Sequence, residues 1–269
     1  MNKVILITGI STGLGKATAS KLVKDGHKVY GTIRTEGEAD DHINTVMMDL
    51  TDPDSIKRAV DTVIEKEGQI DVLINNAGMH TGGPVETAPM EHIELQMDTN
   101  FLGMVRITRN VLPVMRNNDG GMIINISSIG GLMGLPFQAF YSASKFAIEG
   151  FSEVLRSEVK QFNIRVVVIN PGDFHTNNTV NRRKYLAPTG PEDPYYQQYN
   201  KTLQKIEKDE TGGWDPEILA GKISRIVGSK KPRQRYIIGS FEQRLSVSLN
   251  NIMAGSLFRK IIDDYYKIK

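Results

Sequence analysis

The sequence predicts a doubly wound α/β fold, a parallel sheet covered by helices on both faces. Three observations lead there. Short runs rich in valine and isoleucine recur along the chain, longer amphipathic stretches alternate with them, and the first run leads directly into a glycine-rich turn that opens a helix. A strand buried on both faces reads as a continuous apolar run, and strands separated by helices are joined by right-handed crossovers into a parallel sheet.

Taken in order, the strands are expected at 3–7, 28–33, 45–48, 72–74, 122–126 and 165–169, with 235–238 as one more. Helices are expected near 14–26, 53–67, 91–117 and 141–162. After Pro171 the pattern breaks: residues 173–214 carry Pro188, Gly190, Pro191, Pro194, Gly212 and Gly213 around Tyr195, Tyr196 and Tyr199. That stretch reads as a long irregular insertion, the kind that forms an active-site lid. Asp215-Pro216-Glu217 then starts a helix, with Asp215 as N-cap and proline at the first helical position. Leu245, Leu249, Ile252, Met253, Leu257 and Ile261 recur at helical spacing, which predicts one final amphipathic helix packed on the body of the protein. Residues 1–269 are thus expected to form one Rossmann-like unit, with a cofactor and catalytic core over 1–172, a substrate lid over 173–214, and a last strand and C-terminal helices over 215–269.

Composition narrows the function. The 269 residues carry 33 Lys plus Arg against 31 Asp plus Glu, a net charge of +2, with 39% hydrophobic and 24% charged residues. Such a balance supplies no long-range field for nucleic acid. With no cysteine, disulfides, thiolate catalysis and cysteine-based metal sites are excluded. The five histidines, His27, His42, His80, His92 and His175, lack the spacing of a helical metal pair, so no metal is expected. The first apolar run is too short for a secretory segment or a membrane span, which makes the cytoplasm the expected location.

The first motif is Thr8-Gly9-Ile10-Ser11-Thr12-Gly13-Leu14-Gly15, between the first strand and the first helix. Gly9, Gly13 and Gly15 permit a tight turn and close approach to a pyrophosphate, which sits on the helix N-terminus. The spacing differs from the Gly-x-Gly-x-x-Gly of ordinary dinucleotide domains, and no Gly-Lys-Ser/Thr follows, so nucleoside triphosphate hydrolysis is not expected. The second strand ends Thr32-Ile33-Arg34. An acidic residue at that corner accepts the ribose hydroxyls of NAD, whereas arginine pairs with the 2′-phosphate of NADP. Arg34, with the Ser11 and Thr12 hydroxyls, favours NADP and leaves NAD as the alternative. Glu36 and Glu38 would repel a phosphate if the loop folded back.

The second motif is Tyr141-Ser142-Ala143-Ser144-Lys145. Residues four apart share a helical face, and an ammonium beside a phenol favours the phenolate and should lower the tyrosine pKa. Such a tyrosine serves as general acid or base. Tyr265 and Lys269 repeat the spacing at the tail, but only Tyr141 has a serine, Ser128, thirteen residues upstream at the end of an apolar strand. Ser127 reads as a strand-end hydroxyl, and His175 as a residue that hydrogen-bonds locally. Trp214 reads as an anchor for the insertion.

These motifs, in this order, resemble those of the short-chain dehydrogenase/reductase family, standard non-extended branch, over about residues 1–176. Within the resemblance, Asp49 and Leu50 correspond to the adenine contact, and Asn75-Asn76-Ala77-Gly78 to the turn after the fourth strand. Asn100 corresponds to the asparagine that holds a relay water, and Pro171-Gly172 with Thr176 to the nicotinamide turn. The resemblance implies hydride transfer between a nicotinamide and a substrate carbon. Ser128 would bind the substrate oxygen, Tyr141 exchange the proton, and Lys145 hold the nicotinamide ribose and bias Tyr141.

Gly130-Gly131-Leu132-Met133-Gly134-Leu135-Pro136-Phe137, with Lys145-Phe146-Ala147-Ile148-Glu149-Gly150 and Phe174-His175-Thr176, is similar to the 17-beta-hydroxysteroid dehydrogenase and retinol dehydrogenase neighbourhood. That similarity implies an apolar pocket lined by Ile129 and Leu135. The chain departs from it at Asp173, at Asn177-Asn178 and at the polar triplet Arg182-Arg183-Lys184, which reads as a solvated loop. The expected substrate is a small to medium, partly apolar ketone or secondary alcohol, and the resemblance implies a homodimer or homotetramer. A catalytically silent dinucleotide-binding regulator is the rival. It has no need of Ser128, Tyr141, Lys145 and Asn100 together. A sugar-nucleotide epimerase shares the Tyr/Lys pair but not this glycine turn.

Overall fold

The computed structural model describes residues 2–35, 42–187 and 189–268; Glu36, Glu38, Pro188 and Lys269 lie outside them. Among the described residues are the strands β1 (Val4–Ile7), β2 (Lys28–Ile33), β3 (Asn44–Met47), β4 (Val72–Asn75), β5 (Gly121–Ile126), β6 (Ile164–Pro171) and β7 (Arg235–Ile238). They form one sheet in the order β3-β2-β1-β4-β5-β6-β7, every pair parallel. The order reverses between β1 and β4, the switch point beyond whose strand ends ligands bind in such sheets.

Successive side chains of a strand point to opposite faces, and β1 shows what that does here. Ile5 and Ile7 join Leu22, Ile74, Ile124, Leu219 and Ile223 in one apolar core. That core is closed by α1 (Gly13–Lys24) and α8 (Pro216–Gly228). Val4 and Leu6 join Tyr30, Ile56, Leu73, Ile107, Val111, Ile123 and Leu155 in a second, under α2 (Pro53–Glu67), α4 (Gly103–Asn117) and α5 (Ala139–Val159). Start and stop signals follow the sequence. The Asp52 carboxylate accepts from Asp54 N–H before Pro53, and Gly68 ends α2 with φ at +73°. Asp215 likewise caps α8 through Glu217 N–H, with Pro216 at its first position.

Three expectations need correction. The single helix over 91–117 is α3 (Met90–Met97) and α4 joined by a π-helical turn, Asp98–Leu102, that surrounds Asn100; such turns recur at functional sites. The irregular stretch 173–214 holds α6 (Asn178–Arg182) and the sixteen-residue α7 (Tyr196–Thr211). Its buried stripe is only Tyr199, Thr202 and Ile206 amid charged and amide residues, too sparse to stand out between the prolines and glycines.

The final helix is two, α9 (Phe241–Ile252) and α10 (Gly255–Tyr265), broken where Met253 and Ala254 turn extended. Its anchors are Val247, Phe258 and Ile262, packed on Ile129 and Met133. Of the stripe read from the sequence, Leu245, Ile252, Leu257 and Ile261 remain exposed. No helix among the described residues is long and apolar enough to cross a membrane.

Candidate active site

A cavity of about 660 Å³ opens along the C-terminal ends of β1, β2, β4, β5 and β6. At one end, β1 runs into the glycine turn. Thr8 ties this turn to the end of β4: its hydroxyl accepts from Asn76 N–H at 3.0 Å and Ala77 N–H at 2.9 Å. Asn76 Nδ2 donates back to the Thr8 and Gly9 carbonyls at 2.9 and 3.0 Å. Two glycines are required by geometry. Gly9 has φ at +72°, and a Cβ there would meet Ala77 Cβ at 2.8 Å; a Cβ on Gly15 would meet the Gly9 carbonyl at 2.1 Å. Side chains at either position would fill the cradle.

Thr12 precedes α1 without a side-chain cap, and the first turn carries no acidic residue, so its N–H groups and helix dipole face the cavity as an anion site. Gly9, Ser11, Thr12, Gly13, Leu14, Gly15, Arg34, Asp49, Leu50, Asn76, Ala77 and Gly78 all line this end. Burial acts to raise the Asp49 pKa, but hydrogen bonds from Thr51, at 2.8 and 2.7 Å, and the Arg34 charge hold it below the ordinary value. Pro171, Gly172 and Thr176 line the middle. Cradle, donors and cation together fit a dinucleotide phosphate.

At the other end stand Ser128, Tyr141 and Lys145. Ser128 leaves β5 extended and its hydroxyl accepts from Gly130 N–H at 3.0 Å; a Cβ on Gly130 would lie 3.4 Å from both that hydroxyl and the Tyr141 ring edge. Lys145, one turn along α5, is buried, and its ammonium donates to the Ile126 carbonyl at 3.0 Å. It lies 5.7 Å from the centre of the Tyr141 ring.

The expected lowering of the Tyr141 pKa is not what this arrangement produces. Burial pushes the phenol up to about 12, against the nearby Ser128 hydroxyl, which acts to lower it, and brings Lys145 down to about 8. Desolvation of each charged form outweighs the groups that favour it, Ser128 and Arg182 at the phenol and Glu149 at the ammonium.

Asn100 stands behind the cavity wall. Its Oδ1 accepts from Met79 N–H at 2.8 Å, and its Nδ2 donates to the Met79 carbonyl at 2.9 Å and to Ser144 Oγ at 3.1 Å. A Cβ on Gly78 would lie 3.2 Å from Asn100 Oδ1 and 3.8 Å from Lys145 Nζ, so Gly78 leaves open the place where those two approach. Ile129 and Leu135 line the apolar wall, together with Met133, Phe174, Ile206, Ile261 and Ile262. Ser127 also reaches the cavity, its hydroxyl 3.4 Å from the Lys145 carbonyl. His175 turns away to the Thr211 carbonyl at 2.8 Å.

Sequence reasoning missed a second group. His80 is buried and stacks on the Tyr141 ring, centroids 4.0 Å apart and planes 16° off parallel. Burial, with the Arg182 charge, holds it neutral, well below its ordinary pKa. Arg182 reaches His80 Nδ1 at 3.5 Å and clamps Glu210 with its two terminal guanidinium nitrogens, one at 2.9 Å. The reading of Arg182-Arg183-Lys184 as a solvated loop therefore fails at Arg182, whose side chain is 1% exposed. It holds for Arg183, which pairs with Glu207 at the surface. Asp173 is held up to about 6 by burial and by Asp209 and Glu210, and accepts from Gln243.

Residues 3–186 match the family model for short chain dehydrogenase. Over 267 residues the chain is 43% identical to the 3-ketodihydrosphingosine reductase of Bacteroides thetaiotaomicron, covering 99% of each. A short-chain dehydrogenase from Streptomyces avermitilis superposes with a TM-score of 0.83 at 29% identity, over 100% of this chain and 98% of that one. A 3-ketoacyl-(acyl-carrier-protein) reductase from Brucella melitensis, solved with NADH, superposes with a TM-score of 0.72 at 25% identity, over 88% and 96%. The chain belongs to the short-chain dehydrogenase family. It is an oxidoreductase on a Rossmann-like sheet.

Proposed function

We propose that the protein interconverts a ketone and a secondary alcohol with a nicotinamide dinucleotide, NADP in preference to NAD. The observation that carries this reading is the convergence of Ser128, Tyr141 and buried Lys145 on the wall of one cavity that continues into the glycine turn. When bound, the cofactor supplies or accepts the hydride. The chain supplies the rest. Ser128 donates to the substrate oxygen, and Tyr141 Oη gives that oxygen its proton in reduction or takes it in oxidation. Lys145, while cationic, opposes the burial that disfavours the phenolate and would hold the nicotinamide ribose. Asn100 fixes the Met79 backbone and Ser144, and would place the water that reloads the proton.

Arg34 at the end of β2 supports the preference for NADP, because a guanidinium matches a 2′-phosphate. The apolar wall formed by Ile129, Met133 and Leu135 supports a partly apolar substrate. The relative named for 3-ketodihydrosphingosine favours a ketone on an alkyl chain. In this reading residues 173–214 close over the substrate, and the working assembly is a homodimer or homotetramer.

Titration of NADPH and NADH, followed by reduced-nicotinamide fluorescence, tests the cofactor reading. NADPH is expected to bind the tighter, and Arg34→Ala to erase the difference by weakening NADPH alone. Equal or tighter NADH binding removes Arg34 from this role.

A further inference from the structure

Each of the two C-terminal helices has two apolar faces where a surface helix ordinarily has one. The inward faces are Val247 on α9 and Phe258 and Ile262 on α10, buried on Ile129 and Met133. The outward face of α9 carries Phe241, Leu245 and Ile252, within about 40° of one another at 3.6 residues per turn. That of α10 carries Leu257, Ile261 and Tyr265 at successive i, i+4 positions. These six are solvent-exposed: Ile252 is 79%, Leu257 52% and Ile261 43% open to water. Tyr265 is partly covered, its ring beneath the Lys205 ammonium at 4.0 Å and its hydroxyl donating to Asp209 at 2.9 Å; the other five large hydrophobic side chains, left open within 21 residues, mark a surface that meets a partner.

The partner is identified by what the surface adjoins. Ile261 and Tyr265 are exposed and also line the catalytic cavity, while Ile262 and Tyr266 line it further in. The outer apolar face of α10 is therefore the rim of the substrate mouth. Exposed Arg244, Arg259, Lys260 and Lys267 accompany the two stripes, against the acidic Glu242, Asp263 and Asp264. Long basic side chains beside an apolar row can extend to headgroup phosphates while the row enters the acyl boundary.

We propose that α9 and α10 seat the protein on the surface of a lipid bilayer, with the cavity mouth turned to the acyl chains. A second copy of the chain seated on the same face would cover the rim of the mouth, whereas a bilayer covers it with substrate solvent. That choice between occupants rests on the partly apolar substrate proposed above; the apolar face itself does not. Because basic and acidic side chains balance over these helices, Arg244, Arg259 and Lys260 against Glu242, Asp263 and Asp264, apolar burial supplies most of the attraction, and neutral phosphatidylcholine suffices for binding. Phosphatidylglycerol adds a salt-sensitive increment.

Flotation of the purified full chain with phosphatidylcholine vesicles, with and without phosphatidylglycerol, tests this without any substrate. The wild-type chain is expected to float with both. Ile252→Ser combined with Leu257→Ser removes two aliphatic chains outside the cavity and is expected to lower the vesicle partition on the order of 100-fold, about ten-fold each. Phe241→Ser alone is expected to lower it about ten-fold. Turnover of a short water-soluble ketone should be unchanged in both variants, so a failure of the reductase reading shows there and not in flotation. A wild-type chain that stays down with both vesicles overturns the proposal, as does a double variant that floats like wild type. So does a wild-type oligomer that the double variant dissolves in size-exclusion chromatography, which assigns the face to a second copy.

Discussion

Replacing Lys145 with methionine should change how stability depends on pH, and the structure gives both sign and size. Lys145 is buried, and desolvation brings its pKa from 10.5 to about 8. Between those values the folded protein has given up a proton that the unfolded chain still holds. Stability contributed through this residue therefore rises with pH across that window. A full window of about 2.5 units at 1.36 kcal/mol each is about 3 kcal/mol, of which about 2 is gained by pH 9.5. Tyr141 acts in the opposite sense, because burial raises its pKa from 10.0 to about 12 and the folded protein keeps that proton longer. Its effect begins above pH 10, so the informative range lies below it. Urea unfolding followed by circular dichroism, without added cofactor, at steps from about pH 7.5 to 9.5, measures wild type and Lys145→Met side by side. The stability difference, wild type minus variant, should climb by about 2 kcal/mol over that range. A flat or falling difference would refute the claim that Lys145 is buried against its charge.

Two further changes probe the group behind the phenol. Arg182→Met leaves Glu210 beside Asp173 and Asp209 with no guanidinium; urea unfolding should show a loss of about 3–5 kcal/mol, the cost of breaking a buried pair. Adding Glu210→Leu should recover most of that loss, and a single variant within 1 kcal/mol of wild type would contradict the burial argument. His80 stays neutral in the fold with its pKa well below 6.5, so the unfolded chain takes up a proton first and stability falls as pH drops through about 6.5. His80→Gln should flatten that acid limb in thermal melts between about pH 7 and 5, whereas an unchanged limb would show that His80 accepts a proton freely in the folded protein.

The sheet was legible because a strand buried on both faces has no polar side to confuse it. Even β7 could be read from Arg235–Ile238, and the ends shifted by a few residues at most, where ladder hydrogen bonds extend past the apolar run. Ser128, Tyr141 and Lys145 were legible because one strand end and one helical turn set their spacing.

The partnership of His80 with Arg182 was not. The two lie 102 residues apart, on a turn after β4 and on a five-residue helix, and no local pattern marks an arginine that will be buried. Helix α7 was hidden by its own polarity. The tail shows a different failure: its apolar periodicity was visible, but Leu245, Ile252, Leu257 and Ile261 occupy the outward face. Periodicity reports which residues share a face and says nothing of what that face meets.

The most direct measurement compares Tyr141→Phe with wild type in two assays, turnover of a ketone with NADPH and binding of NADPH by fluorescence. Loss of the proton donor should cut turnover by about 10²–10⁴-fold while NADPH affinity stays within a few-fold of wild type. Turnover that survives the substitution would contradict the assignment of Tyr141 as the group that moves the proton.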